Sequence, residues 1–461
     1  MAAVLAVSLL VLHVAFRERP RSFGDAGEYF LLAESLFNHG TPDLHGADLL
    51  SLGQAARNNR LVGSYGPLLR HYRPGRDGRP YGLHFWAYSL ACLPAKAVLH
   101  ALGENELKAL PITNALLLVG VLVRIVLLSP LPVPERWTMG ALLASCPVLA
   151  FVRWPHPEVF SCAFVALALW LDREGKATGA ILCAALASLQ NPPLLLLALA
   201  LWARHVHRPF ATLALLPAAL PATFSLRTLG VLNPLTHASC AAAFVSLKKA
   251  AELFFDLNLG LVPHVPLALL AALAGPLVLW RAGRPVRGLL GWMALAAAMA
   301  LTCTLTTNWN HGTTGPSRYA VWLLPFVFLV VARLAGEAKG RASAVFVVAA
   351  VISQAAILAA RGHVRAPMDY TSHSAAARFV LARWPALYTP SPEIFVERTE
   401  GNEEVPRRAV VYRADGRCRK ALVQKRHLGV LVKECGRPPA LPDVRGLVAR
   451  RGRNAWFYVD Y

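Results

Sequence analysis

The sequence predicts a polytopic α-helical membrane protein with a small extramembrane domain at its C-terminal end. Of the 461 residues, 56% are hydrophobic and 16% are charged, whereas about one quarter of the residues in soluble domains are charged. Apolar runs long enough to span a bilayer recur from the N-terminus to about Leu358. We therefore assign residues 1–361 to a transmembrane domain and residues 362–461 to a polar C-terminal domain.

The formal net charge of +21 does not indicate a nucleic-acid partner. Basic residues cluster in short loops between the apolar runs and in the C-terminal domain, as the positive-inside rule requires. The sequence contains no zinc-finger, helix-turn-helix or RNA-binding signature. The charge therefore reports membrane topology, and membrane lipids are the expected surroundings.

The pattern of apolar runs predicts about 11 membrane-spanning helices. The first is residues 1–16, an apolar run without the basic segment or cleavage site of a signal peptide. The other ten lie near residues 111–130, 137–153, 158–171, 177–190, 193–203, 210–227, 263–280, 288–306, 319–335 and 342–360.

Loop charge predicts the side of the membrane on which each loop lies. Three short basic loops should be cytoplasmic: residues 204–208, 281–287 and 333–341. Alternation then places the N-terminus in the cytoplasm and the first long loop outside, provided that residues 84–102 do not cross. That apolar run contains Pro94 and Lys96 and is predicted to be an interfacial or re-entrant element.

The first outer loop, residues 17–110, opens with the acidic turn Gly24-Asp25-Ala26-Gly27-Glu28-Tyr29. Apolar residues at helical spacing predict an amphipathic helix over residues 26–38 in the membrane interface, ended by His39-Gly40. Asp25 at the N-cap with Glu28 three residues later is a capping-box pattern, which local sequence favours. Both are also candidate catalytic acids, since a capping carboxylate keeps lone pairs for a second role.

Glu158 is a second candidate acid, at the outer end of one span and the start of the next. It closes the turn Arg153-Trp154-Pro155-His156-Pro157-Glu158. A carboxylate this close to hydrocarbon is costly unless it is paired or solvated. Pairing with Arg153, a role as the acid of the helix N-terminus, and a role in a functional site remain open.

Basic residues in two outer loops are candidates for binding a phosphate. His311, Arg318 and Tyr319 lie in or beside a Gly-rich loop that runs into a span, and an Arg at the membrane surface suits a phosphate or diphosphate. The alternative is an Arg that snorkels to lipid headgroups. Lys248 and Lys249 in loop 229–262 have the same two interpretations.

The C-terminal domain is predicted to be small and α/β or β-rich. Ala409–Tyr412 and Gly429–Val432 are β-branched runs, and residues 456–461 read as a terminal strand. Cys418 and Cys435 lie in this domain, outside the cytoplasm, and their spacing leaves a disulfide open.

Three short motifs and the order of the segments resemble a known family. The motifs are Gly24-Asp25-x-x-Glu28-Tyr29, His156-Pro157-Glu158, and His311-Gly312 with Arg318-Tyr319. One helix, an acidic outer loop, many spans and an outer polar domain resemble the GT-C superfamily of membrane glycosyltransferases. The branch that is most similar uses polyprenyl-phosphate sugars, as in protein O-mannosyltransferases and aminoarabinose transferases. The resemblance covers roughly the first 340 residues as architecture.

The resemblance implies that a sugar moves from a polyprenyl-phosphate donor to a lipid, glycan or protein hydroxyl outside a bacterial inner membrane. Asp25 would be the general base, Glu158 would position the acceptor, and Arg318 would hold the donor phosphate. The other predicted contacts are His311 for the phosphate, with Lys248 and Lys249 added from their loop alone, and Tyr29, His156 and Tyr319 for donor or acceptor. In metal-dependent members Asp25 and Glu158 would hold Mg²⁺ or Mn²⁺.

The pattern departs from the Asp-Glu dipeptide that is common in that branch. Ala26 follows Asp25 and the Glu comes at position 28, which leaves open whether Asp25 or Glu28 is the base. No Gly-x-Ser-x-Gly or Cys/His pattern supplies a covalent nucleophile, so a single displacement with inversion is expected.

The alternative is a non-catalytic transporter of lipid-linked saccharides or a cell-envelope assembly partner. Transporters usually show two related halves and acids near the bilayer midplane. In this sequence nearly every acid before residue 362 lies in a loop or at a span end, which favours the enzyme.

Overall fold

The structure, a computed structural model, is mainly α-helical with a small sheet near the C-terminus. It describes residues 2–17, 21–22, 24–59, 62–63, 71–311, 315–337, 341–361, 371–402, 409–436 and 456–461. The helices before the C-terminal domain are α1 Ala2–Arg17, α2 Ala26–His39, α3 Gly46–Asn58, α4 Ala87–Ala101, α5 Ala109–Val126, α6 Val133–Ser145, α7 Val148–Phe151, α8 Glu158–Arg173, α9 Ala177–Gln190, α10 Leu195–His205, α11 Ala211–Leu215, α12 Leu220–Thr228, α13 Pro234–Ser239, α14 Leu247–Phe255, α15 Pro266–Arg281, α16 Arg287–Cys303, α17 Arg318–Glu337 and α18 Arg341–Arg361.

Each predicted span coincides with helix, although two of them are interrupted. Residues 137–153 are split after Cys146 into α6 and α7, because Pro147 has no N–H to continue the helical hydrogen bonds. Residues 210–227 contain α11, a 3₁₀ turn at Leu216–Ala219 and α12.

Two helical segments within the described residues are long and apolar enough to cross a membrane, Glu106–Val126 and Arg318–Glu337. Five shorter apolar helical segments have 10–17 residues: Val4–Arg17, Ala177–Gln190, Pro266–Arg281, Arg287–Cys303 and Ala344–Ala360. The length and composition of the described helices do not test whether 11 of them span a membrane, so that number stays a prediction.

The helices place their charged ends on one face of the bundle. Three ion pairs, Arg124–Glu174, Arg173–Glu135 and Arg284–Glu337, and the hydrogen-bonded pair His205–Asp172 join these ends. Helices α8 and α17 end at this charged face and begin, at Glu158 and Arg318, on the opposite face. A 16-residue helix such as α8 is about 24 Å long, so the two faces are well separated.

Helix α4 begins on the face opposite the charged one. The backbone N–H of Tyr88 in α4 donates to Gln190 at the end of α9 (3.0 Å), and the Tyr88 hydroxyl donates to Leu110 in the first turn of α5 (3.3 Å). The chain therefore enters α4 and α5 on the same face, as expected for a segment 84–102 that does not cross.

Helix α2 matches the helix predicted over residues 26–38 and ends at Gly40, whose φ is 74°. The expectation that it lies amphipathic in the interface is wrong, because every residue from Ala26 to Leu36 is buried in the protein. Its polar positions have protein partners: Glu34 accepts from Lys96 (2.8 Å), and Ser35 donates to Asp48 (3.0 Å).

Four short strands precede the C-terminal domain: β1 Arg21–Ser22, β2 Val62–Gly63, β3 Tyr72–Pro74 and β4 Pro80–Gly82. The C-terminal domain has an antiparallel sheet in which strand Arg417–Gln424 lies between strands Ala409–Ala414 and Trp456–Asp460. Its elements are α19 Ala375–Arg383, α20 Pro392–Glu400, β5 Ala409–Ala414, β6 Arg417–Gln424, α21 Leu428–Cys435 and β7 Trp456–Asp460. The predicted terminal strand and the Cys418–Cys435 disulfide are both present. The β-branched run Gly429–Val432 is wrongly read as strand. It lies in α21, since Leu428, Leu431 and Cys435, at helical spacing, pack with sheet residues.

Candidate functional site

A cavity of about 480 Å³ lies where the first turns of α2, α8 and α17 meet the ends of α9 and α16. Its polar wall includes Asp25, Tyr29, His84, Glu158, Arg318 and Tyr319. The chain thus brings together the acidic turn of the first loop, the second predicted acid and the predicted Arg. Five of the ten predicted site residues line this cavity, Asp25, Tyr29, Glu158, Arg318 and Tyr319, although they are up to 294 positions apart in sequence.

Asp25 faces the cavity instead of capping its helix. It occupies the N-cap position of α2, but its side chain makes no cap hydrogen bond. Arg318 Nη1 donates to Asp25 Oδ2 at 3.3 Å. Burial opposes ionisation, but His84 and Arg318 outweigh it and hold the pKa of Asp25 below its usual value. Gly24 makes the turn with φ at 57°, a conformation that glycine adopts easily.

Glu28 is fully buried and bound to histidines, so the capping-box interpretation is wrong for it too. Its carboxylate accepts from the His84 backbone N–H at 2.8 Å and pairs with His84 Nδ1 at 2.8 Å. A Cβ on Gly82 would lie 2.5 Å from Glu28 Oε1, so a larger residue there would force the Glu28 carboxylate to shift. Glu28 does not belong to the cavity lining. It positions His84.

His84 bridges the two acids of the first loop. Its Nδ1 contacts Glu28, and its Nε2 lies 3.6 Å from Asp25 Oδ2. Burial of the ring lowers its pKa, but the charges of Glu28 and Asp25 outweigh burial and raise the pKa to about 9. Sequence reasoning missed His84, because one histidine at the start of an apolar run carries no pattern of its own. His71, 3.4 Å from Glu28, was missed for the same reason.

Glu158 begins α8 and also lines the cavity. Its side chain is buried, and its Oε2 has no hydrogen-bond partner among the residues that the structure describes. The ring of His156 is its neighbour, with Nδ1 3.8 Å away. The His156 ring stacks on Trp154 and lies 5.4 Å from the Tyr29 ring. The predicted contacts Tyr29 and His156 therefore pack beside the two acids.

Three of the predicted phosphate ligands lie outside the cavity lining. Lys248 is half exposed and pairs with Glu252 at 3.6 Å. Lys249 pairs with Glu393 at 2.6 Å, and His311 lies 3.4 Å from Glu397. Glu393 and Glu397 belong to α20, so Lys249 and His311 join the helical part before residue 362 to the C-terminal domain. Of the predicted basic ligands, Arg318 alone lines the cavity among the described residues.

The other wall of the cavity is apolar and partly open. It includes Leu195, Leu196, Leu199, Leu235, Leu305 and Trp322. Leu195 and Leu199 on α10 are 36% and 41% exposed, so this wall continues onto the outer surface of the helix. The cavity therefore joins a charged end to an apolar, laterally accessible end.

Asp25 and Glu158 offer the oxygen ligands that Mg²⁺ and Mn²⁺ prefer. However, Arg318 lies 3.3 Å and His84 3.6 Å from the Asp25 carboxylate. These cations already balance its charge, so the residues fit a divalent cation poorly at this position. Such a cation would have to displace Arg318.

Comparison with models of protein families, with curated proteins and with solved structures finds no match for this chain.

Proposed function

We propose that this chain is a membrane glycosyltransferase with a polyprenyl-phosphate sugar donor and an acceptor hydroxyl at the outer face of a bacterial inner membrane. The observation that carries the proposal is the cavity. Its polar end holds Asp25 and Arg318, 3.3 Å apart, and its apolar wall reaches the helix surface at Leu195 and Leu199. A donor that carries a sugar phosphate on a lipid chain likewise has a charged end, which would fit the polar end of the cavity, and an apolar end, which would fit its apolar wall.

The proposed orientation is supported by the separation of the two faces. The basic loops 204–208 and 281–287 belong to the charged face, where Arg204 and Arg284 pair with acids, and basic loops favour the cytoplasm. The C-terminal domain contacts the opposite face through Lys249–Glu393. Its Cys418–Cys435 disulfide is typical of an oxidising compartment such as the periplasm.

In the proposed reaction, Asp25 accepts the proton of the acceptor hydroxyl as the oxygen attacks the anomeric carbon. The bond between that carbon and the phosphate oxygen breaks, and the polyprenyl phosphate leaves as an anion on Arg318. The displacement inverts the anomeric centre and needs no covalent intermediate. Glu158 lies on the same cavity wall and orients the acceptor.

The pair Asp25–Arg318 gives the proposed base a way to become active only with the donor bound. In the structure Arg318 and His84 lower the pKa of Asp25, which makes its carboxylate a weak base. A donor phosphate would compete for Arg318 and reduce its hold on Asp25. The basicity of Asp25 would then rise as the leaving group is bound.

The test is transfer of labelled sugar from a panel of polyprenyl-phosphate donors to a membrane extract that supplies acceptors. Asp25→Asn should lower transfer by about 10²–10⁴-fold, the usual contribution of a general base. Lys248→Ala is the matched control, because Lys248 is half exposed and lies outside the cavity lining. It should retain full transfer.

Full transfer by Asp25→Asn would overturn the catalytic assignment. Movement of intact lipid-linked saccharide across vesicles, with no transfer by the wild type, would favour the transporter. Binding is measured separately, as donor-induced protection against thermal unfolding. Asp25→Asn should keep this protection, and a wild type that no donor in the panel protects would overturn the donor class.

A further inference from the structure

A cluster of metal-ligand side chains lies at the other end of α2 from Asp25. His39, Asp43 and His45 each offer one ligand atom, and these atoms lie within 4.8 Å of one another. His45 Nε2 is 2.9 Å from Asp43 Oδ2, and His39 Nδ1 is 2.7 Å from the Thr41 hydroxyl. Helix α2 has 14 residues, so the cluster is about 20 Å from Asp25 along its axis.

We propose that His39, Asp43 and His45 bind a divalent transition-metal ion of the zinc class. Two imidazoles and one carboxylate form a donor set that suits zinc, whereas Mg²⁺ and Ca²⁺ prefer oxygen ligands alone. A water molecule would complete four ligands. This inference concerns a site outside the cavity and does not depend on the proposed glycosyltransferase activity.

A buried acid fixes the tautomer that a metal ligand requires. Asp48 is fully buried and accepts from Ser35 and Asn38, and its Oδ2 lies 3.0 Å from His39 Nε2. The proton of His39 is therefore on Nε2, and the lone pair of Nδ1 points away from Asp48. A carboxylate on the second nitrogen is the usual partner of a metal-bound histidine.

The backbone already holds the three ligands near one another. Gly40 ends α2, and the chain reaches Asp43, which forms a β-bridge with Tyr81 of β4 Pro80–Gly82. The backbone N–H of Leu44 donates to Pro80 at 2.9 Å. Asp43 is thus fixed between α2 and β4 before any metal binds.

Binding would need movement of side chains only. Ligand atoms at about 2.0–2.1 Å from zinc in a tetrahedron lie about 3.3 Å apart. His45 Nε2 already lies 2.9 Å from Asp43 Oδ2, and the ring, which is 48% exposed, needs only a small rotation to admit the ion, releasing the proton of Nε2 to water. Zinc would displace the Thr41 hydroxyl from His39 and the exposed Arg79 guanidinium, 3.4 Å away, from Asp43.

The bound ion would fasten the end of α2 to strand β4. Asp25 and Glu28 lie at the beginning of this helix, and His84 follows β4 by two residues. The inferred role of the metal is therefore structural. It would stabilise the framework on which the first-loop acids and His84 are held.

The test uses the full-length protein without an affinity tag, stripped of metal and titrated with zinc chloride. The wild type should bind about one zinc ion that His45→Ala does not bind, and zinc should raise the unfolding temperature of the wild type but not that of His45→Ala. His100→Ala is the matched control, since the His100 ring is 62% exposed and pairs with Glu106 at 2.7 Å. It should bind zinc like the wild type.

Two further variants sharpen the result. Asp48→Asn should weaken zinc binding by about 10–100-fold, as expected for loss of the carboxylate behind a ligand histidine. Asp25→Asn should leave zinc binding unchanged. Equal zinc binding by wild type and His45→Ala would overturn the proposal, as would loss of zinc from Asp25→Asn alone.

Discussion

Two buried polar clusters on the same face of the molecule satisfy their carboxylates in different ways. The cavity cluster is Asp25, His84, Glu158 and Arg318. The tail junction is the contact of Asp256 and Asn258 with His373, Ser374 and Tyr388 of the C-terminal domain. In the junction, Asp256 Oδ1 accepts from the backbone of Asn258 (2.7 Å) and Leu259 (2.9 Å), and Oδ2 accepts from Tyr388 (2.6 Å).

In the cavity cluster the carboxylates of Asp25 and Glu158 make fewer and longer polar contacts. Asp25 has contacts of 3.3 and 3.6 Å to its cations. Glu158 Oε2 has no hydrogen-bond partner within the described residues. Buried polar groups are normally satisfied, so acceptors left free toward a cavity make this cluster a candidate ligand site. The junction, which satisfies both oxygens of Asp256, is built to hold two domains together.

Of the substitutions considered, replacing Arg318 in the cavity cluster should cause the largest loss of stability and transfer. Arg318→Gln leaves Asp25 without its guanidinium, and loss of one partner of a buried pair costs up to about 3–5 kcal/mol. We expect a lower unfolding temperature and at least about a 100-fold loss of transfer, because the donor phosphate also loses its cation. Arg318→Lys, which keeps the charge without the fork, should recover stability better than transfer. Recovery of both to wild-type values would show that the positive charge suffices and that the forked guanidinium is not needed.

The His84 bridge predicts a loss of stability in alkali. Its pKa is raised to about 9 in the fold, against about 6.5 in an unfolded chain. The contribution is therefore complete below about pH 6.5 and is lost as the pH rises through 9, by at most about 3 kcal/mol. Chemical unfolding measured from pH 6 to pH 10 should show this decline, and His84→Gln should flatten it. An equal decline in both proteins would assign it to other groups.

A substitution in the tail junction should lower the stability of the protein and leave sugar transfer unchanged. Asp256→Asn loses the acceptor of the Tyr388 hydroxyl and weakens both backbone hydrogen bonds, which should cost about 1–3 kcal/mol. Thermal unfolding measures this cost, and hydrogen exchange in residues 375–400 should increase. Glu158→Gln is the cavity counterpart. Glu158→Gln should reduce the free energy of unfolding less than Asp256→Asn does, since Glu158 Oε2 has no hydrogen-bond partner to lose in the described part of the chain. It should nevertheless lower sugar transfer. A loss of transfer in Asp256→Asn, with a larger loss of stability in Glu158→Gln, would contradict the distinction between the two clusters.

The helices were predictable because each depends on local composition. Apolar runs of the right length predicted where α5, α9 and α17 lie, and the alternation of helix ends agrees with the loop charges. The burial of α2 was not predictable in this way. Its polar residues Glu28 and Glu34 are paired with His84 and Lys96, which lie 56 and 62 positions away. No local pattern reveals such partners.

The same limit applies to the site. Asp25, Glu158 and Arg318 were found because each stands near the end of an apolar segment, where a charge is conspicuous. His84 begins an apolar run and His71 lies in the first long loop; a single histidine at either place forms no pattern, and both were missed. His39, Asp43 and His45 occur within seven residues, a spacing that permits a metal site. The helix end at Gly40 and the bridge to Tyr81 bring them together, and only the fold shows these.

The smallest effect should come from the lysine that the sequence placed among the phosphate ligands. Lys249 Nζ lies 2.6 Å from Glu393, which is 40% exposed, so the pair is worth only about 0.2–1 kcal/mol. Lys249→Ala should lower the unfolding temperature slightly. Added salt should screen the Lys249–Glu393 pair and so reduce this difference between the wild type and the variant. The KM for the donor should stay unchanged, since Lys249 lies outside the cavity lining. A tenfold rise in KM would instead restore Lys249 as a phosphate ligand and extend the site to the tail junction.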